Sequence, residues 1–174
     1  MDLSLFPRQA KVLEMIEQGA QEILFGGAAG SAKSHLLRVL AIIWCMRVPG
    51  LSIYLFRRQI KDLKLSHMIG PCSFPSLLKP LEEDGIVNIN HSNGVIKFTH
   101  GGDLPDSNIL LSHVQYENDL ENYLSAEFHI LLLDEGSTFT ETMYKFLRSR
   151  VRLGALKVPE QYKSMLPFII IATN

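Results

Sequence analysis

The sequence predicts an α/β domain of three layers, with a mostly parallel central sheet, helices on both faces and an antiparallel hairpin inserted in the sheet. Three observations lead there. Short apolar runs alternate with segments of helical spacing along the chain. One of those runs, Ile23-Leu24-Phe25, stops at Gly26-Gly27 just before an apolar helical stretch. Another, over 128–133, is apolar but for His129 and ends in two adjacent carboxylates, Asp134 and Glu135. Continuous apolar runs suit strands covered on both faces, and strand–helix alternation suits parallel pairing.

Each element follows in order. Leu13, Ile16 and the apolar residues around Phe6 predict a short amphipathic helix, with Pro7 placed where a helix can begin. It leads into the strand at 22–25, the Gly26-Gly27 break and a helix over 36–46. The Pro49-Gly50 turn opens a second strand over 51–56, and 57–68 reads as a charged helix. Prolines and glycines interrupt residues 70–85, so irregular structure or a short helix is expected there. Val87-Asn88-Ile89 and Val95-Ile96-Lys97-Phe98 alternate on either side of Ser92-Asn93-Gly94, which is a hairpin signal because Asn-Gly tolerates positive φ. A strand at 108–112, a short helix at 118–124, the buried strand at 128–133, a helix over 140–151 and a last buried strand at 168–172 complete the order. No internal repeat or low-complexity tract is present.

At 174 residues the chain is one domain by default, long enough to bury about 70% of its unfolded surface. Seventeen Lys and Arg against eighteen Asp and Glu leave no global basic field, so any nucleic-acid contact must be local or carried elsewhere. Cys45 and Cys72 lack the spacing of a metal knuckle or redox pair and read as reduced and intracellular. The most apolar stretch, 36–46, contains Arg38 and falls short of the roughly 20 residues that span a bilayer. No secretory signal pattern opens the chain, so we expect a cytosolic protein without a membrane segment. The six histidines lack metal-ligand spacing and read as ordinary core or surface residues.

Gly27-Ala28-Ala29-Gly30-Ser31-Ala32-Lys33-Ser34 matches the phosphate-loop pattern of Gly, four residues, Gly, Lys and Ser/Thr, except that Ala32 replaces the second Gly. The chemistry needs small residues so that successive backbone N–H groups can wrap phosphates at a helix N-terminus, whose dipole favours negative charge. Ala32 permits close approach but not easy positive φ, so it must lie in a right-handed conformation or accept strain. Lys33 then reaches the β- and γ-phosphates of a nucleotide, and the Ser34 hydroxyl ligates Mg²⁺. The competing reading is a glycine turn with Lys33 and Ser34 merely solvated. The strand before it and the helix after it favour the phosphate loop.

His129-Ile130-Leu131-Leu132-Leu133-Asp134-Glu135 supplies the second feature that a P-loop ATPase needs. At the C-terminal end of a strand beside the phosphate loop, Asp134 can hold Mg²⁺ through water. Glu135 can orient and deprotonate the attacking water. Alone, the two acids could equally cap the helix that starts near Thr138 or Thr140.

These residues resemble the ATPase domain of the large terminase subunit, the DNA-packaging motor of tailed bacteriophages. Phe6-Pro7-Arg8-Gln9 is similar to that family's adenine-binding element, and residues 26–34 to its loose phosphate loop. Leu55-Phe56-Arg57-Arg58 resembles its second-strand segment, 129–136 its Asp-Glu motif, and Ile170-Ile171-Ala172-Thr173-Asn174 its coupling motif. The resemblance spans nearly the whole chain, though the phosphate and acidic motifs are shared by many ATPases. It implies a three-layer P-loop NTPase of the ASCE type over residues 1–174. Gln9 would read adenine, ATP and Mg²⁺ would be the cofactors, and Thr173 and Asn174 would sense the γ-phosphate. Double-stranded DNA, a portal protein and a small terminase subunit are the implied partners, within a homo-oligomeric ring in the host cytoplasm that docks transiently on a procapsid. The family's lid and RNase H-like nuclease domain have no match here, so a fragment without nuclease activity is expected.

Arg57, Arg58, Arg148, Arg150 and Arg152 are all candidates for the arginine that stabilises transition-state charge in ring ATPases, and the sequence does not choose among them. Two rivals remain. One is another P-loop enzyme such as a helicase. The other is a nucleotide-binding assembly module in which Ala32 has weakened hydrolysis, a reading that Glu135 argues against.

Overall fold

The computed structural model describes residues 1–27 and 32–174. Five strands run parallel: β1 (Glu22–Gly26), β2 (Ser52–Arg57), β5 (Ser107–His113), β6 (Ile130–Asp134) and β7 (Phe168–Thr173). The hairpin of β3 (Val87–Asn90) and β4 (Val95–Phe98) adds antiparallel to β5. The sheet order is β1-β7-β6-β2-β5-β4-β3, so the strand before the phosphate loop and the strand bearing the two acids flank β7.

Strand parity divides the core into two layers. Ile53, Leu55, Ile130, Leu132, Phe168 and Ile170 face one cluster, which also takes residues of α1 (Pro7–Glu17), α2 (Lys33–Arg47), α3 (Ile60–His67) and α4 (Phe74–Glu83). Phe56, Leu131, Leu133 and Ile169 face the other, covered by Met143 and Leu147 of α5 (Glu141–Ser149) and by Leu120. This is the expected three-layer arrangement. Among the described residues no helix is long and apolar enough to cross a membrane.

Two elements refine the sequence reading. Residues 74–83, expected to be irregular or a short helix, form a ten-residue helix. Pro75 lies in its first turn, where no N–H is needed, Ser73 Oγ caps it by accepting from Ser76 N, and Phe74, Leu77 and Leu78 are buried. Burial of that face outweighs the carbonyl partner lost at Pro80. The helix expected at 118–124 is instead the 3-10 turn Glu117–Tyr123, anchored by Asp119 Oδ2, which accepts from the backbone N–H groups of Gln115 and Tyr116.

Candidate nucleotide site

The C-terminal ends of β1, β2, β6 and β7 meet at one edge of the sheet, where ligands of open α/β sheets collect. A cavity of about 700 Å³ opens there, lined among others by Phe6, Lys33, Ser34, Arg57, Glu135 and Asn174. Asp134 shares its strand face with Ile130 and Leu132, so it points toward α2 rather than α5. It is 2% exposed, and its Oδ2 lies 3.0 Å from the Ser34 hydroxyl. The two predicted Mg²⁺ ligands are therefore in contact across 100 residues of sequence.

Mg²⁺ and ATP can be tested for fit against this donor set. The metal favours oxygen ligands about 2.0–2.1 Å away in octahedral geometry, which places neighbouring ligands about 3 Å apart. Ser34 Oγ is an oxygen of the right type, and the Asp134 carboxylate 3.0 Å from it can accept from a metal-bound water. Among the described residues no group of three His, Cys, Asp or Glu could hold a metal. Lys33 sits at the first position of α2, and its Nζ donates to the Gly27 carbonyl at 2.7 Å, across the loop that would cradle phosphate. Ala28, Ala29, Gly30 and Ser31 lie outside the described residues.

Ala32 accepts the strain that the sequence left as one of two outcomes. It caps α2 in the left-handed region, at φ +53° and ψ +31°. Among the described residues, Glu135 is the other non-glycine at positive φ, at +57°. Both strained residues thus flank the same cavity, where such strain is commonly stored. The left-handed turn sets Glu135 off the strand, 45% exposed, while Asp134 stays buried beneath it.

Gln9 is 1% exposed and is absent from the cavity wall. Its Oε1 accepts from Phe6 N at 2.8 Å and its Nε2 donates to the Ala32 carbonyl at 2.9 Å, so its amide ties the start of α1 to the end of the phosphate loop. Phe6, quoted in the sequence as the start of the adenine-binding element but given no role of its own there, lines the cavity and is 64% exposed. At the end of β7, Thr173 pairs in register with Gly26, its carbonyl accepts from Gly27 N at 3.3 Å, and Asn174 reaches the cavity wall.

The structure separates the five arginines. Arg148 pairs with Glu22, Arg152 with Glu127, Arg150 lies over Phe146, and Arg58 donates to the carbonyls of Thr138 and Gln115. Arg57 alone of the five lines the cavity. Its Nε donates to Asp134 Oδ2 at 2.9 Å and its Nη2 to Glu135 Oε1 at 3.0 Å, so one guanidinium spans both acids. Two further residues were missed. His67, at the end of α3, places Nε2 2.9 Å from Asp134 Oδ2, and Arg38 lies behind it. A charged residue inside the apolar run 36–46 was the available signal for Arg38; for His67 there was only its helical spacing from Leu63.

Burial alone would raise the Asp134 carboxyl, but the His67 hydrogen bond and charge, the Arg57 charge and the Ser34 hydroxyl bring it down to about 2. Burial pushes the His67 ring below its usual range, and the Arg38 and Arg57 charges push the same way, against the pull of Asp134.

Solved structures share this architecture. The large terminase of a thermophilic bacteriophage superposes with a TM-score of 0.72 at 13% identity, over 98% of this chain and 39% of that one. The fold is that of the large-terminase ATPase domains. The Thermus phage P74-26 large-terminase ATPase domain aligns with a TM-score of 0.61 at 12% identity, over 98% of this chain and 64% of its own. The bacteriophage HK97 large terminase gives 0.69 at 12% identity, over 98% and 33%. This chain thus spans only part of the terminases it matches. The thermophilic phage terminase has been crystallised with ATP-γ-S and with ADP. No protein-family model and no curated protein sequence matches the chain.

Proposed function

We propose that this chain is the Mg²⁺-dependent ATPase domain of a phage large terminase, the motor that drives double-stranded DNA into a procapsid. The observation that carries the reading is the Ser34–Asp134 contact, with Glu135 one residue beyond it and Lys33 one residue before it. A serine and a carboxylate joined at the first turn of a helix, with a second carboxylate turned toward the cavity, is what Mg²⁺-assisted phosphoryl transfer to water needs. The terminase fold supports assigning that chemistry to packaging.

In this reading the backbone N–H groups of residues 27–34 and the Lys33 ammonium hold the β- and γ-phosphates, and Ser34 and Asp134 hold the cation. Mg²⁺, when bound, neutralises and orients the phosphate oxygens. Glu135 positions the attacking water and takes its proton. Arg57 fixes the Glu135 carboxylate and offers positive charge beside the transferring group. Phe6 supplies an exposed aromatic ring on which adenine can stack, and Gln9 acts on adenine through the segment that carries Phe6. Thr173, tied to Gly26 and Gly27, and Asn174 on the cavity wall relay γ-phosphate loss to β7. A ring of subunits, the portal protein, the small terminase subunit, and work in the host cytoplasm with docking on the procapsid belong to the same proposal.

Calorimetry of Mg²⁺-ATP binding on wild type and Lys33→Ala, with hydrolysis assays of wild type and Glu135→Gln, tests it. Lys33→Ala should abolish binding, and Glu135→Gln should bind normally while turnover falls by roughly 10²–10⁴-fold. Unchanged turnover in Glu135→Gln would sink the assignment of the water-activating group.

A further inference from the structure

The two oxygens of Asp134 are not equivalent. Oδ2 accepts from Arg57 Nε and His67 Nε2, each at 2.9 Å, while the Ser34 hydroxyl lies against both oxygens, 3.0 Å from Oδ2 and 3.2 Å from Oδ1. Of these donors His67 is fully sealed from solvent. Its other ring nitrogen lies 3.3 Å from Arg38 Nη1, and the same Nη1 donates to the Ser66 carbonyl at 2.8 Å. A guanidinium stays protonated and has no acceptor, so Nδ1 must accept from it. With Nδ1 accepting, the ring proton is on Nε2, directed at Asp134.

We infer that His67, with Arg38 behind it, is a positioning residue that holds Oδ2 of Asp134 from behind and so leaves Oδ1, which His67 and Arg57 do not touch, to face the cation of a bound nucleotide. The inference rests on the functional reading above. A carboxylate rotates easily about its last torsion, and a fixed donor on Oδ2 removes that freedom. The device also links three elements: Arg38 on α2, which begins at the phosphate loop, His67 on α3 and Asp134 on β6. Groups that support a metal ligand from behind typically change metal affinity by roughly 10–100-fold.

The test separates metal-dependent from metal-independent affinity. ADP binding is measured by calorimetry with Mg²⁺ and with EDTA for wild type, His67→Phe and His67→Gln. In His67→Phe the affinity should fall roughly 10–100-fold with Mg²⁺ and hold steady with EDTA. His67→Gln, which restores an N–H donor, should recover most of it. Equal losses in both conditions, or no loss, overturn the positioning role. A second measurement stands even where a variant fails to fold: long-range ¹H–¹⁵N correlation on the wild-type imidazole should show a proton on Nε2 and none on Nδ1. A proton on Nδ1 near pH 7 overturns the arrangement by itself. A wild type that binds no nucleotide counts against the functional reading, while the tautomer still decides the role of Arg38 and His67.

Discussion

Gln9 and Ala32, 23 residues apart, are joined by one hydrogen bond of 2.9 Å from a buried side-chain amide to the carbonyl of a left-handed helix cap. A non-glycine residue in that region costs roughly 1–2 kcal/mol, and glycine there costs none of it but gives up entropy on folding. Ala32→Gly should therefore stabilise the chain by up to about 1 kcal/mol. Gln9→Glu keeps the acceptor for Phe6 N but sets a carboxylate oxygen against the Ala32 carbonyl, and should destabilise by about 1–3 kcal/mol. Urea unfolding followed by the single, buried Trp44 measures both. A destabilised Ala32→Gly would mean that the left-handed cap is not strained.

Arg57 joins two carboxylates that would otherwise repel each other, one 2% and the other 45% exposed. Removing it leaves a buried anion without its cation, a loss typically worth about 3–5 kcal/mol. Mg²⁺ can supply the missing positive charge. The melting temperature of Arg57→Ala should therefore be lower than that of wild type and should rise more on adding Mg²⁺ without nucleotide. Equal Mg²⁺ shifts in the two proteins would show that Arg57 does not share the cation's place.

Asp134 makes stability depend on acid. Its folded carboxyl lies at about 2 against an ordinary 3.8, so the unfolded chain binds the proton more readily and stability falls as pH drops. The contribution is full above about pH 4 and is lost toward pH 2, amounting to about 2 kcal/mol. His67 acts in a higher window: its depressed value means that stability begins to fall once pH drops below 6.5. Denaturant titrations across about pH 2–5 should show a flatter acid limb for Asp134→Asn than for wild type. Parallel limbs would remove Asp134 from the account.

The sequence made the strands and the two motifs legible for one reason: β1, β6 and β7 are continuous apolar runs with punctuation at their ends. Asp134 and Ser34 could be named because strand end and helix start are local facts. Arg57 could not be chosen from five arginines, since its place depends on β2 lying next to β6, where Phe56 stands opposite Leu133. His67 and Arg38 were hidden for the same reason, because their roles need α2 and α3 packed on one face of the sheet. Gln9 was flagged by its motif, yet its partner Ala32 appears only once α1 is laid against the phosphate loop. The helix at 74–83 was obscured because prolines weigh heavily in local patterns, while the burial that favours it is set by the whole core.

Gly136 fixes the turn that carries Glu135. A methyl group there would come 2.2 Å from Ile171 Cγ2 and 3.5 Å from the Ala172 carbonyl, so the turn rests directly on β7. Gly136→Ala should destabilise by about 1–3 kcal/mol, as overpacking usually does. Because the displaced turn holds Glu135, turnover should fall further than Mg²⁺-ATP affinity. Ile171→Ala removes the clashing atom, so the double variant should be less impaired than the two single effects summed, with a coupling of roughly 0.5–3 kcal/mol. Additive effects would place the damage elsewhere than in this contact. Recovery of turnover in the double variant would tie the position of Glu135 to its packing on β7, the strand that ends in Thr173.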